Sequence, residues 1–447
     1  MSHKNIFMLE KMPVKKAVIS LIIPTILSMM VQILYNLTDT FFIGQLNDPF
    51  QVAAVTITMP LFMMLMAISG IFGNGGASFI SRLLGEKRYK EAKEVSTLSF
   101  LCIIITGILI SIFSLIFMNQ ILGLIGTSAN TLLYCKKYLT YIMLGAVPIM
   151  LNFAVSQFLR SEGSAKIALM GMIIGTGANI ILDPIFIFVF KQGVVGAAIA
   201  TVLGNILSLI FYVWYYLKGK SLASPSLKDL CFKGKQFAEI LKIGLPSSIS
   251  QIMMSVGSSI SFKLAVQYGD HALAAMGVAQ RVISIVIFTF IGLAAGIQPL
   301  VGYSYGAKNH KRLKESLNFS ILLGLSLSVV FITLFILFSK HAVIIFIKDP
   351  HVVDFGSRML KVFTFAIPFA TLQMIFMVTL QAMGKALPSL IVSLCRQGLV
   401  YIPSIIILNH FFQFDGIIWA MPITDVLTTL IAFMFFYPMI YKFDHEK

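Results

Sequence analysis

Apolar runs of about twenty residues recur along the whole of this 447-residue chain, and nothing else in the sequence limits the fold so tightly. A helix needs roughly twenty residues to cross a hydrocarbon layer of about 30 Å. Twelve such runs can be counted, at about 17–43, 53–79, 96–118, 133–158, 167–190, 194–217, 239–266, 274–303, 316–338, 355–380, 386–408 and 415–441. They leave no segment long enough for a soluble domain. The sequence therefore predicts an all-α polytopic membrane protein with twelve transmembrane helices. Its 12% of charged residues, against roughly 25% in soluble chains, points the same way.

The formal charge of +16 would suit a nucleic-acid partner if the basic residues shared one face, but they cluster between particular spans, so no such partner is expected. Lys11, Lys15 and Lys16 precede the first span. Arg82, Lys87, Arg88, Lys90 and Lys93 follow the second, Lys218, Lys220, Lys228, Lys233 and Lys235 the sixth, and Lys308, Lys311, Arg312 and Lys314 the eighth. All four groups fall on one side, while loops such as 44–52 and 268–273 carry few Lys or Arg. The positive-inside rule then places both termini and the long central loop in the cytoplasm of an inner-membrane protein. The loop from Lys340 to Arg358, mixed in charge, falls outside. The basic start is not read as a signal peptide, since the apolar run continues past Pro24 and no small-x-small cleavage pattern follows. Cys102, Cys135, Cys231 and Cys395 show neither metal-ligand spacing nor a disulfide pattern.

The two halves superpose with a shift of about 221 residues. Pro24 in IIPTILS matches Pro246 in GLPSSIS, Gly85 in RLLGEKRYKEAKE matches Gly306 in YSYGAKNHKRLKES, Pro148 matches Pro368, and Gly163 matches Gly384. Six spans per half is an even number, so the repeats are parallel and related by a pseudo-twofold axis along the membrane normal. The expected division is an N-terminal lobe 1–217, a cytoplasmic linker 218–238 and a C-terminal lobe 239–447, each lobe a six-helix bundle.

Ionisable groups inside spans are costly and mark function by default. Asp39 and Asp183 lie late in outward-running spans, at comparable depth, where they can share one site. Residues at i and i+4 share a helix face, which gathers Tyr35 with Asp39, Asn179 with Asp183, and Thr201 with Asn205, while Gln32 and Asn36 extend the first stripe. Two acids close together in a low dielectric repel, and a bound cation or proton relieves that repulsion. Oxygens of Asp, Asn and Thr suit a hard cation, so Asp39, Asn179, Asp183 and Thr201 are expected to hold Na⁺ or H⁺ as the coupling ion, with no other cofactor. Pro184 denies its helix a bond to the Ile180 carbonyl, and Pro24 does the same at Ser20, allowing each span to bend.

In the other half, Arg396 and Asp425 are expected to neutralise one another as a structural pair. Lys263 and Arg281 can snorkel to the outer surface. Glu162 in LRSEG is read as holding an inner gate with Arg160. The 24 Met and 38 Phe suit a pliable cavity, to which Tyr35, Asn36, Gln32, Asn205, Met253 and Met254 are assigned. No GxxxxGK[ST], HExxH, GxSxG or GxGxxG pattern is present, so a gradient rather than ATP bound by this chain must drive transport.

The 6+6 repeat, the first span from Pro24 to Asp39, and NIILDPIFIF followed by GVVGAAIATVLGN resemble MATE (multidrug and toxin extrusion) transporters, along the MepA-like and DinF-like branches and over essentially the whole chain. The resemblance implies export of organic cations and drugs in exchange for Na⁺ or H⁺ by alternating access, and the chain is expected to act as a monomer in the lipid bilayer. In DinF-like members a span 1 aspartate with Asn, Asp and Thr of spans 5 and 6 forms the ion site, and Asp39, Asn179, Asp183 and Thr201 stand at the matching positions. The acids that the NorM branch carries on spans 7 and 10 have no counterpart here. Rival readings are a flippase of lipid-linked oligosaccharide from the same superfamily, which needs several basic cavity residues, a membrane-embedded enzyme, which needs a His, Asp or Ser cluster, and a passive channel.

Overall fold

The computed structural model describes residues 2–46 and 48–445, which form helices joined by short turns, with no strand among them. The helices are α1 (Ser2–Glu10), α2 (Val14–Gly44), α3 (Pro49–Gly85), α4 (Tyr89–Ile116), α5 (Met118–Ile125), α6 (Ala129–Leu144), α7 (Ala146–Ser161), α8 (Ala165–Pro184) and α9 (Val194–Leu217). They continue with α10 (Gly234–Val266), α11 (Asp270–Gly306), α12 (His310–Ile344), α13 (Pro350–Ala382), α14 (Ala386–Leu394) and α15 (Tyr401–His445).

Ten helical stretches are long and apolar enough to cross a membrane, and one of these, Ala386–Tyr441, spans 56 residues. That stretch is broken at Gln413, whose φ of 53° and ψ of −133° are not helical, so it supplies two crossings. A further crossing comes from α6 and α7, bent by 55° between them. The twelve apolar runs are thus all accounted for. The short helices α1 and α5 carry no membrane-length apolar run and escaped the hydropathy reading.

The duplication is visible in the backbone. Helices α3 and α11 each have 37 residues, and their bounds are offset by 221 at both ends, 49 to 270 and 85 to 306. Positive φ recurs at Lys87 and Lys308, and at Gly163 and Gly384, at the same offset. Gly193 (φ 56°, ψ −133°), just before α9, repeats at Gln413 with an offset of 220.

Two compact units divide the chain: residues 1–11 with 27–248, and residues 12–26 with 249–447. Packing therefore splits the chain differently from the repeat, within α2 and within α10, because each of these helices packs its first part apart from its second. In the first unit, Asn74 Nδ2 donates to Ser247 Oγ at 2.9 Å and Ser248 Oγ to the Ala67 carbonyl, seating the start of α10 on α3. In the second, Ile22 and Ile26 of α2 lie against Gly296 and Gly292 of α11. Pro24 sits inside an unbroken α2, two residues before that change of unit. The segment 218–238 is docked on the first unit: Lys233 and Gln236 donate to Glu94 Oε2, and Thr97 Oγ1 bonds the Ser226 backbone.

The core of the first unit is α3, buried along most of its second half, with α4, α6 and α7 around it. That of the second is α11, with Met276, Val286 and Phe290 packed among Phe335, Met374, Ile405 and Phe414.

Candidate functional site

The first unit gathers its intramembrane polar residues through one close approach of backbones. A Cβ added at Gly175 of α8 would stand 3.0 Å from the Gly204 carbonyl oxygen, and one at Gly204 of α9 would meet the Gly175 oxygen at 2.7 Å, so only glycine lets these helices touch. This contact sets the next turn of α8, carrying Asn179 and Asp183, beside Thr201 of α9. Pro184 cannot donate to the ladder, and α8 gives way there to a π-helical turn, Ile185–Val189, closed by Phe190 N donating to the Ile185 carbonyl at 2.9 Å. π turns of this kind recur at functional sites.

Asn179 Nδ2 donates to Asp183 Oδ1 at 3.2 Å, and both residues are buried. Tyr35 Oη and Thr201 Oγ1 share a hydrogen bond of 3.1 Å, bringing α2 to α9. Asp39, one turn beyond Tyr35, is half-buried and has no hydrogen bond or ion pair among the described residues. Asp39 and Asp183 are near enough to act electrostatically on one another and on the phenols of Tyr35 and Tyr138. The remaining oxygens, Asn179 Oδ1 and Asp183 Oδ2, are buried without a donor. Native proteins rarely leave such atoms unmatched, and two acceptor oxygens in a chamber with a second carboxylate offer a place for a cation or a proton. Among the described residues no group of three His, Cys, Asp or Glu side chains is placed to hold a metal. The site instead gathers two carboxylates with amide and hydroxyl oxygens, ligand types that suit a hard cation.

Beyond Thr201 the polar chain continues along α9. Asn205 Nδ2 donates to the Thr201 carbonyl at 2.8 Å, Asn152 Nδ2 of α7 to Asn205 Oδ1 at 2.8 Å, and Ser208 Oγ to Asn152 Oδ1 at 2.7 Å. At the other end, Val194 N donates to Gln51 Oε1 at 3.0 Å and Gln51 Nε2 to Asp48 Oδ2 at 2.9 Å, fixing the start of α9 to α3. A cavity of about 410 Å³ opens there, lined by Gln51, Tyr134, Lys137, Phe188 and Lys191, and it reaches the π turn that follows Asp183.

Other residues singled out from sequence fall elsewhere. Gln32 is half-buried and Asn36 exposed on α2. Met253 and Met254 belong to the second unit, where Met253 packs on Gly398 and Met254 is exposed. Lys263 and Arg281 are exposed. Arg396 Nε donates to Asp425 Oδ1 at 2.8 Å, both side chains being almost wholly buried. Glu162 is not held by Arg160, which bonds Ser156 and Gln157 instead. Its Oε2 accepts from Ser221 Oγ at 2.7 Å, Leu222 N at 2.8 Å and Ala223 N at 3.3 Å, because the linker runs back over the α7 end.

Sequence reasoning missed Tyr138, Asn152 and Gln51. The contacts that matter, Asn152 to Asn205 and Gln51 to Val194, join different helices, out of reach of an i, i+4 count.

Comparison with known proteins agrees with the duplicated helical fold. The MatE family model matches twice, over residues 24–185 and 246–407. The multidrug export protein MepA of Staphylococcus aureus (strain MSSA476) is 32% identical over 438 residues, covering 98% of this chain and 96% of its own. That of Staphylococcus haemolyticus is 30% identical over 450 residues, covering 100% and 98%. Among solved structures, the outward-facing conformation of a multidrug resistance MATE family transporter of the MOP superfamily superposes with a TM-score of 0.93 at 26% identity, covering 99% of each chain. A MATE crystal structure in the straight conformation gives 0.93 at 27%, again covering 99% of each. With a duplicated helical bundle, a paired-carboxylate chamber in one half and the family model matching both halves, the chain belongs to the MATE family of membrane transporters and is no enzyme.

Proposed function

We propose that the protein exports small organic cations and drugs from the cell by alternating access, in exchange for H⁺ or Na⁺ bound at Asp39 and Asp183. The observation that carries this reading is the chamber of the first unit, where Asp183 Oδ2 and Asn179 Oδ1 are buried without donors beside a second carboxylate. Two ionised acids in a low-dielectric chamber repel, so arrival of a proton or cation stabilises one state of the lobe and departure the other. Thr201 and Tyr35 would add hydroxyl oxygens to the ion, while Asn152 and Asn205 keep the α9 stripe in register. MepA of Staphylococcus aureus is named as a multidrug exporter, which supports the same substrate class here. The protein works as a monomer, and the distribution of Lys and Arg supports both termini lying in the cytoplasm.

A flippase for lipid-linked oligosaccharide would need several basic side chains for phosphate, and in the second unit the charge of the buried Arg396 guanidinium is balanced by Asp425.

Asp39→Asn and Asp183→Asn should each stop ethidium efflux from cells while the protein reaches the membrane at normal levels. Undiminished efflux in both variants overturns the proposal. Tracer uptake in proteoliposomes under an imposed pH or Na⁺ gradient then identifies the coupling ion.

A further inference from the structure

The second unit buries charges that the cation chamber does not use. Arg396 and Asp425 meet through a single contact, Nε to Oδ1, with side chains 9% and 3% exposed. A guanidinium has five N–H donors, and among the described residues Nη1 and Nη2 make no hydrogen bond. A purely structural ion pair in a low dielectric is stable only when its donors are matched, and replacement by apolar residues is often neutral. This pair leaves four donors unmatched.

Two further observations point at the same place. The helix leaves α geometry at Arg396 itself, in a π turn, Cys395–Leu399, closed by Val400 N donating to the Cys395 carbonyl at 2.9 Å. Gln373 of α13 is fully buried, yet its Oε1 has no donor. Gln373 is held near the level of the pair by ties on both sides. Met377 Sδ lies 4.0 Å from Gln373 Nε2 and accepts from Ser393 Oγ at 3.2 Å, one turn before Arg396. Thr429, one turn after Asp425, donates to the Phe369 carbonyl at 2.8 Å, one turn before Gln373. Gln373 and Asp425 also occupy the register positions of Asn152 and Asn205, which are bonded directly in the first unit. The second unit thus offers a charged planar fork and an amide acceptor, with Met253 and Met377 as adaptable apolar walls.

We propose that Arg396 contacts substrate and takes the carboxylate of zwitterionic amphiphiles on Nη1 and Nη2, with Asp425 holding the Nε edge and Gln373 accepting from a substrate N–H or O–H. The geometry of the fork matches a carboxylate in two parallel hydrogen bonds. Charge balances as well: the ion pair is neutral alone, and the carboxylate it accepts arrives with its own compensating amine. A simple cation gains nothing from this site, so Arg396 sets selectivity between cationic and zwitterionic substrates. The inference rests on the efflux reading above.

The test compares a cationic rhodamine ester with the corresponding free acid, which differs only in its carboxylate. Efflux is measured for the native chain, for Arg396→Lys, which keeps a charge but loses the fork, and for the Arg396→Gln/Asp425→Asn double variant, which leaves no buried charge unpaired. The ratio of acid to ester efflux should fall about tenfold in the double variant, and by less in the lysine variant. An unchanged ratio, whether both rates stay or both fall, overturns the proposal. Fluorescence anisotropy of the acid dye on detergent-solubilised protein separates this site from the efflux reading. Affinity about tenfold weaker in the double variant supports the site even if neither dye is exported, and equal affinity refutes it.

Discussion

Asn152 donates a hydrogen bond to Asn205 in the first unit, amide to amide, and the residues in the same register of the second unit are Gln373 and Asp425. The position of Gly175, where two backbones touch, is taken there by Arg396, which pairs with Asp425. At the offset of 222 that relates Pro24 to Pro246, Asp39 corresponds to Ser261, and at 221 Tyr138 corresponds to Met359. Backbone features are kept across the duplication, down to the positive φ before the last helix of each half, while the polar content has parted. Within its spans the first unit carries Asp39 and Asp183, neither in an ion pair among the described residues, whereas Asp425 in the spans of the second is paired with Arg396. On the proposed function the first unit is the one that exchanges an ion, and that asymmetry can be broken experimentally.

The largest effect is expected from the carboxylates themselves. Efflux driven by an imposed gradient in proteoliposomes should fall to the level of empty vesicles for Asp39→Asn, and adding Ser261→Asp in that background should not restore it, since Ser261 lies among Tyr401 and the apolar core of its own unit. Restoration would show the two halves to be interchangeable and would dissolve the distinction.

Next comes the glycine contact. Gly204→Val forces side-chain atoms into the Gly175 backbone, an overpacking cost of about 1–3 kcal/mol, and should lower the melting temperature of the detergent-solubilised protein by several degrees. Thr424→Val at the matching position loses only a bond to its own helix, at the Ala420 carbonyl, and should cost under about 1 kcal/mol. Equal losses at both positions would mean that α8 and α9 are not held together by this approach.

A smaller effect, of opposite sign in the two units, is expected at the amides. Asn152→Leu strands Asn205 Oδ1 and Ser208 Oγ and should cost about 1–3 kcal/mol. Gln373→Leu removes an acceptor that is buried without a donor, so thermal stability should hold or rise. A melting temperature lowered by both substitutions would place a hidden partner on Gln373.

These contrasts also mark what could be read without coordinates. Apolar length reveals the twelve crossings because a bilayer admits few alternatives, and opposite charges in neighbouring apolar spans, as at Arg396 and Asp425, have few partners to choose from. Stripes along one helix, such as Tyr35 with Asp39, follow from helical periodicity. Contacts between helices do not. Nothing local in the sequence says that Asn152 meets Asn205, that Tyr138 comes within electrostatic reach of Asp39 and Asp183, or that α6 and α7 bend by 55° within one apolar run. The exchange of packing partners within α2 and α10 is similarly silent, since it depends on which neighbours each half-helix finds.

The smallest effect on transport, though a clear one on local stability, concerns the cytoplasmic ends. Glu162 corresponds to Met383, so only the first unit can titrate there. Burial pushes the Glu162 carboxyl from 4.5 up to about 7, and the donors from Ser221, Leu222 and Ala223 oppose that only in part. Because the folded value lies above the unfolded one, the folded corner binds the extra proton between them. The stability it contributes is full below 4.5 and is lost as pH rises through about 7. After correction for intrinsic exchange, the amides of Leu222 and Ala223 should therefore exchange faster at high pH than at low. Glu162→Gln, neutral at every pH and still an acceptor for the same donors, should flatten that dependence while efflux changes by less than about twofold. A dependence that survives in Glu162→Gln would assign the titration to another group and remove this corner from the contrast between the two units.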